Sequence, residues 1–151
     1  MANAIVEASR YFPVITLTGP RQSGKSTLLR HLFSGLPYYS MENLDVRQAA
    51  KLDPKGFLSK FNEGVIIDEV QNVPELLSYI QGIVDENPER KFFLTGSSQF
   101  ALLQTITQSL AGRTAVFELL PLSLAEISEI DGEDSTDSLI YKGFYPAVWG
   151  G

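Results

Sequence analysis

The chain has 151 residues, of which 44% are apolar and 20% are charged, as is usual for one globular domain. It contains no cysteine and one histidine, His31, which excludes disulfides, zinc–thiolate sites, cysteine nucleophiles and multi-histidine metal sites. The formal net charge is −6, and residues 114–141 contain no lysine or arginine, which argues against a broad basic surface for nucleic acid there.

Short apolar runs alternate with longer amphipathic segments along the chain. This alternation predicts an α/β fold built from βαβ units, with a mostly parallel sheet and helices on both faces. The predicted strands are Val14–Thr18, 37–40, 65–67, 92–95 and 115–119. The predicted helices are 26–33, a segment from Asn43 or Asp45 to Lys51, 54–61, 74–85, 98–105 and 123–130.

Four of these helices have sequence signals at their starts, and Asn43 or Asp45 is expected to cap the one that reaches Lys51. Pro74 suits the first turn of the helix over 74–85. Ser98 is expected to cap the helix over 98–105, and Ser123 with Glu126 forms a capping box for the last one. The N-terminus does not resemble a signal peptide, and no run of about 18 apolar residues indicates a transmembrane helix. We therefore expect a cytoplasmic protein without a membrane partner.

Residues 19–26 read GPRQSGKS and match the phosphate-binding pattern G-x-x-x-x-G-K-[ST]. The pattern follows a predicted strand and opens a predicted helix, which is the context that phosphate binding requires. Glycines let successive backbone N–H groups point inward, and the helix adds its free N-terminal N–H groups. We predict a P-loop that binds a nucleoside triphosphate. Its predicted contacts are Gly19, Pro20, Arg21, Gln22, Ser23, Gly24, Lys25, Ser26 and Thr27, and Arg21 is expected to contact either phosphate or a neighbouring acid.

Four side chains are assigned roles in phosphoryl chemistry. Lys25 is predicted to reach the β- and γ-phosphates, and the Ser26 hydroxyl to ligate Mg²⁺. Asp68 ends the apolar strand GVIID and is the second predicted Mg²⁺ ligand, while Glu69 follows as the group that orients or deprotonates the attacking water. The alternative is that Asp68 and Glu69 are two exposed acids at the start of a loop.

Two further candidates lie near the later strands, Thr95 at the end of the strand over 92–95 and Arg113 before the strand over 115–119. Thr95, with Ser97 as second choice, ends an apolar strand and is predicted to sense the γ-phosphate, although such residues also cap helices. Arg113 is a candidate for stabilising charge on the transferred phosphoryl group, in its own chain or across a subunit interface. A surface salt bridge is the alternative for Arg113. Gln71 is placed to hydrogen-bond near Glu69.

Five segments resemble, in order and spacing, a bacterial and archaeal AAA-type P-loop ATPase family whose members carry a C-terminal domain of unknown function. These segments are LTGPRQSGKSTLL, VIIDEVQNVPEL, FFLTGSSQF, SLAGR and GFYPAVW. The resemblance extends from about Tyr11 to Trp149. It implies ATP as the nucleotide and a sheet in strand order 5-1-4-3-2. It also implies Walker B and sensor roles for Asp68, Glu69 and one residue of 95–98.

The resemblance also implies a division of the chain. Residues 1–130 are expected to form the AAA-type ATPase domain, and residues 131–151 a linker and the start of a C-terminal region that is cut short. The alternative for the aromatic segment 139–149 is a strap packed back on the core.

Together these features predict an ATP-binding module that hydrolyses ATP with Mg²⁺ and drives a conformational change in an attached domain or protein partner. The alternative is a nucleotide-gated binding module with little hydrolysis. The sequence has no N-K-x-D motif, which counts against a GTPase. It also has no arginine-rich lid after the sheet, which counts against a small-molecule kinase. A homo-oligomer follows if Arg113 acts between chains.

Overall fold

A computed structural model of the protein describes residues 1–97 and 100–120. The strands are β1 (Val14–Thr18), β2 (Tyr38–Ser40), β3 (Gly64–Asp68), β4 (Lys91–Gly96) and β5 (Thr114–Glu118). The helices are α1 (Ala2–Ala8), α2 (Lys25–Leu32), α3 (Leu44–Leu52), α4 (Pro54–Ser59), α5 (Leu76–Glu86) and α6 (Phe100–Leu110), with a 3₁₀ helix at Val70–Asn72. The predicted helix over 123–130, the Ser98 cap and the segment 131–151 lie outside the described residues.

The five strands form one sheet in the order β2-β3-β4-β1-β5, and every neighbouring pair is parallel. Read from the other edge this is 5-1-4-3-2, so the predicted topology is confirmed. β1, β3 and nearly all of β4 are buried, which agrees with their continuous apolar sequences. β5 is an edge strand, and Val116 on it is 48% exposed.

Helices cover both faces of the sheet because successive strand residues point to opposite sides. Val14, Phe92 and Leu94 belong to the larger core, which also contains the buried residues of α3, α4, α5 and α6. Ile15 and Phe93 belong to the smaller core, against α1 and α2. The sheet is therefore held rigidly between two apolar layers, and its strand ends are placed by that packing.

Some predicted element boundaries are wrong. The helix expected from Pro74 begins at Leu76, and Pro74 instead accepts a hydrogen bond from the backbone of Leu77. α1 was not predicted, and it has one buried residue, Ile5, and no side-chain cap, so its amphipathic signal is weak. Asn43 is the cap of α3, with its side chain accepting from the backbone N–H groups of the first turn. Within residues 1–97 and 100–120, no helix has the length and apolarity needed to cross a membrane.

Two leucines near helix starts test the division between core and surface. Leu77 in α5 is fully buried, whereas Leu44 in α3 is 71% exposed. We expect Leu77→Ala to lower the free energy of unfolding by about 2–5 kcal/mol, since it removes buried contacts and leaves a cavity. Leu44→Ala should change it by less than about 0.5 kcal/mol. Urea unfolding of both variants is the measurement, and similar losses would contradict the described core.

Candidate functional site

The carboxyl ends of β1, β3 and β4 meet at one edge of the sheet. Thr18 of β1 lies in register with Gly96 of β4, and Ile67 of β3 with Leu94 of β4. The P-loop continues from β1, the acidic pair from β3, and Thr95 lies near the end of β4. Parallel pairing therefore brings the three predicted groups to the same edge, as is usual for ligand sites in open α/β sheets.

Two glycines give the P-loop its shape. Gly19 has a φ of +154°, and a Cβ there would lie 2.2 Å from the carbonyl oxygen of Leu119, which follows β5. Gly24 has a φ of +90° and precedes the first residue of α2, whose N-terminus has no side-chain cap. A side chain at Gly19 would displace the loop from the sheet. The uncapped N–H groups of α2 are of the kind that binds phosphate.

Lys25 folds back over the loop. Its ammonium donates to the carbonyl oxygens of Gly19 (3.1 Å) and Pro20 (2.8 Å), and the Ser23 hydroxyl also donates to Pro20 (2.8 Å). Burial lowers the pKa of Lys25, while the carboxylates of Glu69 and Asp68 act in the opposite direction. Two of the three ammonium N–H groups are thus engaged by described residues, and one remains for a phosphate oxygen.

The other loop residues differ in exposure. Arg21, Gln22 and Thr27 are exposed, and Ser26 is half-buried. Arg21 forms an exposed ion pair with Glu42 at 3.9 Å, so within the chain it contacts a neighbouring acid, one of its two predicted partners. His31 is exposed on α2.

Asp68 is the buried member of the acidic pair, with 9% of its surface exposed. Its Oδ1 accepts a hydrogen bond from the Thr95 hydroxyl, and its Oδ2 accepts one from the Tyr38 phenol at 2.7 Å. A buried carboxylate needs such donors because it has lost its hydration. The interpretation of Asp68 as an exposed acid is therefore wrong.

Glu69 has a left-handed backbone, with φ +56° and ψ +49°, which is uncommon for a residue other than glycine. Its backbone N–H donates to the Thr95 hydroxyl at 3.0 Å, and its carboxylate Oε2 accepts from the Gln71 amide. Thr95 thus binds both acids, through the side chain of Asp68 and the backbone of Glu69. The predicted proximity of Gln71 to Glu69 is present.

Two buried polar atoms beside the acidic pair have no partner among the described residues. They are Oε1 of Gln71 and Oγ of Ser97. A Cβ on Gly96 would lie 2.9 Å from Gln71 Oε1, so that oxygen is pressed against the backbone that leads to Ser97. Unsatisfied buried polar atoms are rare in folded proteins, so these two atoms are available for a further hydrogen bond.

Tyr38, which sequence reasoning did not assign to the site, contacts Asp68 from the neighbouring strand β2. Burial, then the hydrogen bond to Asp68 and the charge of Asp68, raises the pKa of Tyr38 to about 12. The phenol therefore keeps its proton at neutral pH and acts as a donor. The predicted strand over 37–40 was the available signal, but it could not show whether Tyr38 or Tyr39 faces Asp68.

Arg113 lies at the amino ends of the strands, opposite the carboxyl ends from which the P-loop and the acidic pair continue. Its carbonyl accepts from the backbone of Val14, at the start of β1, while the P-loop follows the end of β1. The length of β1, about 15 Å, therefore separates Arg113 from the P-loop. Its guanidinium binds both carboxylate oxygens of Asp85, at 2.6 and 3.0 Å. The structure does not bring Arg113 to the phosphate loop of its own chain, and a salt bridge, the predicted alternative, is present.

A protein-family model described as an AAA domain matches residues 11–128. The chain belongs to this family. Together with the fold, this makes the chain an AAA-type P-loop ATPase module.

Curated relatives of this AAA module are found in mycobacteria. The uncharacterized proteins Rv2008c of Mycobacterium tuberculosis and Mb2031c of Mycobacterium bovis are each 34% identical to it over 137 residues. The match covers 89% of this chain but 30% of each relative, so the chain spans about a third of the length of the curated relatives it matches.

Solved structures show the same fold as the AAA module. The Walker-type ATPase PABY2304 of Pyrococcus abyssi superimposes with a TM-score of 0.62 and 22% identity, covering 85% of this chain and 54% of that one. PCH-2 of C. elegans superimposes with a TM-score of 0.55 and 18% identity, covering 90% and 48% of the two chains.

The donor set of the AAA module fits Mg²⁺ bound together with a nucleotide. Within the described part of the chain, no group of three or more histidine, cysteine or acidic side chains forms a metal cage. Ser26 and Asp68 instead offer isolated hard oxygen ligands. Mg²⁺ is usually held in this way, by one or two protein oxygens together with phosphate oxygens and water.

Thr95→Val tests the link between the two acids. It removes the donor to Asp68 and the acceptor of the Glu69 N–H, and we expect a loss of about 2–3 kcal/mol in the free energy of unfolding. Thr16→Val is a matched control, since the Thr16 hydroxyl is also buried in the sheet but bonds the Thr114 hydroxyl at 2.9 Å. It should cost about 1 kcal/mol. Equal losses in urea unfolding would contradict the charged contact of Thr95.

Proposed function

We propose that this module binds ATP with Mg²⁺ and hydrolyses it, and that hydrolysis drives a conformational change in an attached domain or protein partner. The observation that carries the proposal is the position of the Thr95 hydroxyl, which holds Asp68 and Glu69 together beside the P-loop strand. A metal-binding acid and a water-activating acid at a phosphate loop are the groups that ATP hydrolysis requires.

In this proposal the loop positions the triphosphate. The backbone N–H groups of residue 19 and of residues 21–27 surround the phosphates, and the remaining ammonium N–H of Lys25 contacts the γ-phosphate. Ser26 and Asp68 hold Mg²⁺, which neutralises phosphate charge when bound. Because Ser23 and Lys25 are buried and Gly19 lies against the backbone of Leu119, these groups need little rearrangement during the reaction.

Glu69 is proposed to orient the attacking water and to accept its proton. Gln71 binds only one of its carboxylate oxygens, so among the described residues the other oxygen is left for water. Thr95 positions Glu69 rather than acting on phosphate itself, because its hydroxyl is already engaged with both acids. The Ser97 hydroxyl, the second choice for the sensor, has no partner among the described residues and is the better candidate to contact the γ-phosphate.

ATP is the proposed nucleotide because the chain belongs to the AAA domain family and has no N-K-x-D motif for guanine. The coupling to a partner is supported by length. The relatives that the chain matches are about three times as long, so they have room for a domain that responds to the nucleotide.

A nucleotide-gated binding module with little hydrolysis is the second candidate. The contact between Gln71 and Glu69 favours it, because the amide occupies one oxygen of the carboxylate that hydrolysis would need to face water. Both functions predict ATP binding, but only the hydrolysing module predicts phosphate release at a substantial rate.

The decisive variant is Glu69→Gln, which removes the base but keeps the side-chain shape. We expect at least a 10²-fold loss of phosphate release, with unchanged affinity for ATP measured by calorimetry. Glu86→Gln, on the exposed end of α5, is the control for removing one acid and should leave both values unchanged.

Two results would count against hydrolysis at this site. Normal turnover by Glu69→Gln would remove Glu69 from the mechanism. ATP binding with no phosphate release by the unaltered chain would favour the nucleotide-gated module.

A catalytic role for Arg113 requires a second copy of the chain, since the P-loop of the same chain lies at the other end of the strands. This proposal predicts that the rate per chain rises with protein concentration, and that Arg113→Ala abolishes the rise. Asp85→Asn is the matched control, because it breaks the same ion pair but keeps the guanidinium. A rate independent of protein concentration would exclude the role.

A further inference from the structure

Tyr38 contacts Asp68, one of the two side chains proposed to hold Mg²⁺. Its phenol donates to Asp68 Oδ2 at 2.7 Å. It reaches Asp68 from β2, a three-residue strand at the edge of the sheet that carries none of the P-loop or acidic motifs.

The tyrosine ring is itself held in place. The guanidinium carbon of Arg30, on α2, lies 4.5 Å from the centre of the Tyr38 ring. The ring also borders a cavity of about 420 Å³ lined by Thr27, Arg30, Ser34, Leu36 and Tyr38. Because the ring is only half-buried, phenylalanine can occupy the same space without disturbing the core.

Asp68 is oriented by two hydroxyl donors, one on each oxygen. Thr95 binds Oδ1 from β4 and Tyr38 binds Oδ2 from β2, so the carboxylate cannot rotate without losing a hydrogen bond. Each carboxylate oxygen has a second lone-pair direction, which remains for the metal ion or its water. Hydrogen bonds of this kind to metal-binding carboxylates raise metal affinity by holding the ligand in its binding orientation.

We propose that Tyr38 is a positioning residue for the Mg²⁺ site, acting by fixing the orientation of the Asp68 carboxylate. This inference rests on the proposed function, since it assumes that Asp68 and Ser26 serve the metal ion of a bound nucleotide. It adds a residue of β2 to a site otherwise formed by β1, β3, β4 and the P-loop.

Tyr39 provides a matched control on the same strand. It points to the opposite face of the sheet, where its ring packs against Phe57 and Phe61 with centroids 5.6 and 5.2 Å away. Tyr38→Phe and Tyr39→Phe therefore each remove one phenol hydroxyl. The first hydroxyl lies beside the proposed metal site, and the second lies on the opposite face of the sheet.

The experiment measures the affinity for a non-hydrolysable ATP analogue by calorimetry, in EDTA and across a Mg²⁺ titration. For Tyr38→Phe we expect a rise of about tenfold or more in the Mg²⁺ concentration that gives half of the full gain in affinity for the analogue. The affinity measured in EDTA should stay unchanged. Tyr39→Phe should match the unaltered chain in both. Thermal unfolding of the two variants confirms that each is folded.

Each outcome has a definite meaning. An unchanged or lower Mg²⁺ requirement in Tyr38→Phe, with Mg²⁺ dependence intact in the unaltered chain, overturns the inference and leaves the proposed function standing. Equal loss of affinity in EDTA and in Mg²⁺ also overturns it, because the effect is then on folding or on the nucleotide site as a whole. No Mg²⁺ dependence in the unaltered chain overturns both the metal assignment and the role of Tyr38.

Discussion

The buried carboxylate of Asp68 is the group on which the arrangement of the site depends. A charge that is 9% exposed is stable only where hydrogen bonds replace its lost hydration. Thr95 and Tyr38 supply them from the strands on either side of β3. The carboxylate therefore receives both hydrogen bonds only when β2, β3 and β4 pair in parallel with this register. The geometry of the site thus depends directly on the order of the strands.

The P-loop depends in a similar way on a strand that carries no motif. Leu119, just after β5, donates its backbone N–H to Thr18 at 2.7 Å, and its carbonyl lies where a side chain of Gly19 would be. The loop is thus shaped by its glycines and by the strand beside it. β2 and β5, at the two edges of the sheet, support the site from opposite sides.

Much of the fold could be predicted because its signals are local. Continuous apolar runs identified β1, β3 and β4. The start of α3 was predicted at Asn43 or Asp45, and the structure shows Asn43 as the cap. The helix at Leu76 was placed two residues too early because a proline near a helix start is compatible with more than one position. α1 was missed because one buried residue gives little periodicity. The end of the sheet at which Arg113 lies follows from the parallel order, since Arg113 precedes the strand predicted over 115–119 whereas the P-loop follows β1. Its partner Asp85 could not be predicted, because sequence distance does not show which side chains meet.

The sequence by itself determined the phosphate loop and the adjacent acids, because each is a contiguous segment whose chemistry follows from residue type and spacing. Only the tertiary structure decided that Thr95 joins Asp68 to Glu69, that Tyr38 rather than Tyr39 reaches the carboxylate, and that Arg113 binds Asp85. These contacts join residues 26 to 30 positions apart, and they exist only through the packing of strands and helices. Local propensity contains no record of which strands become neighbours or of their register.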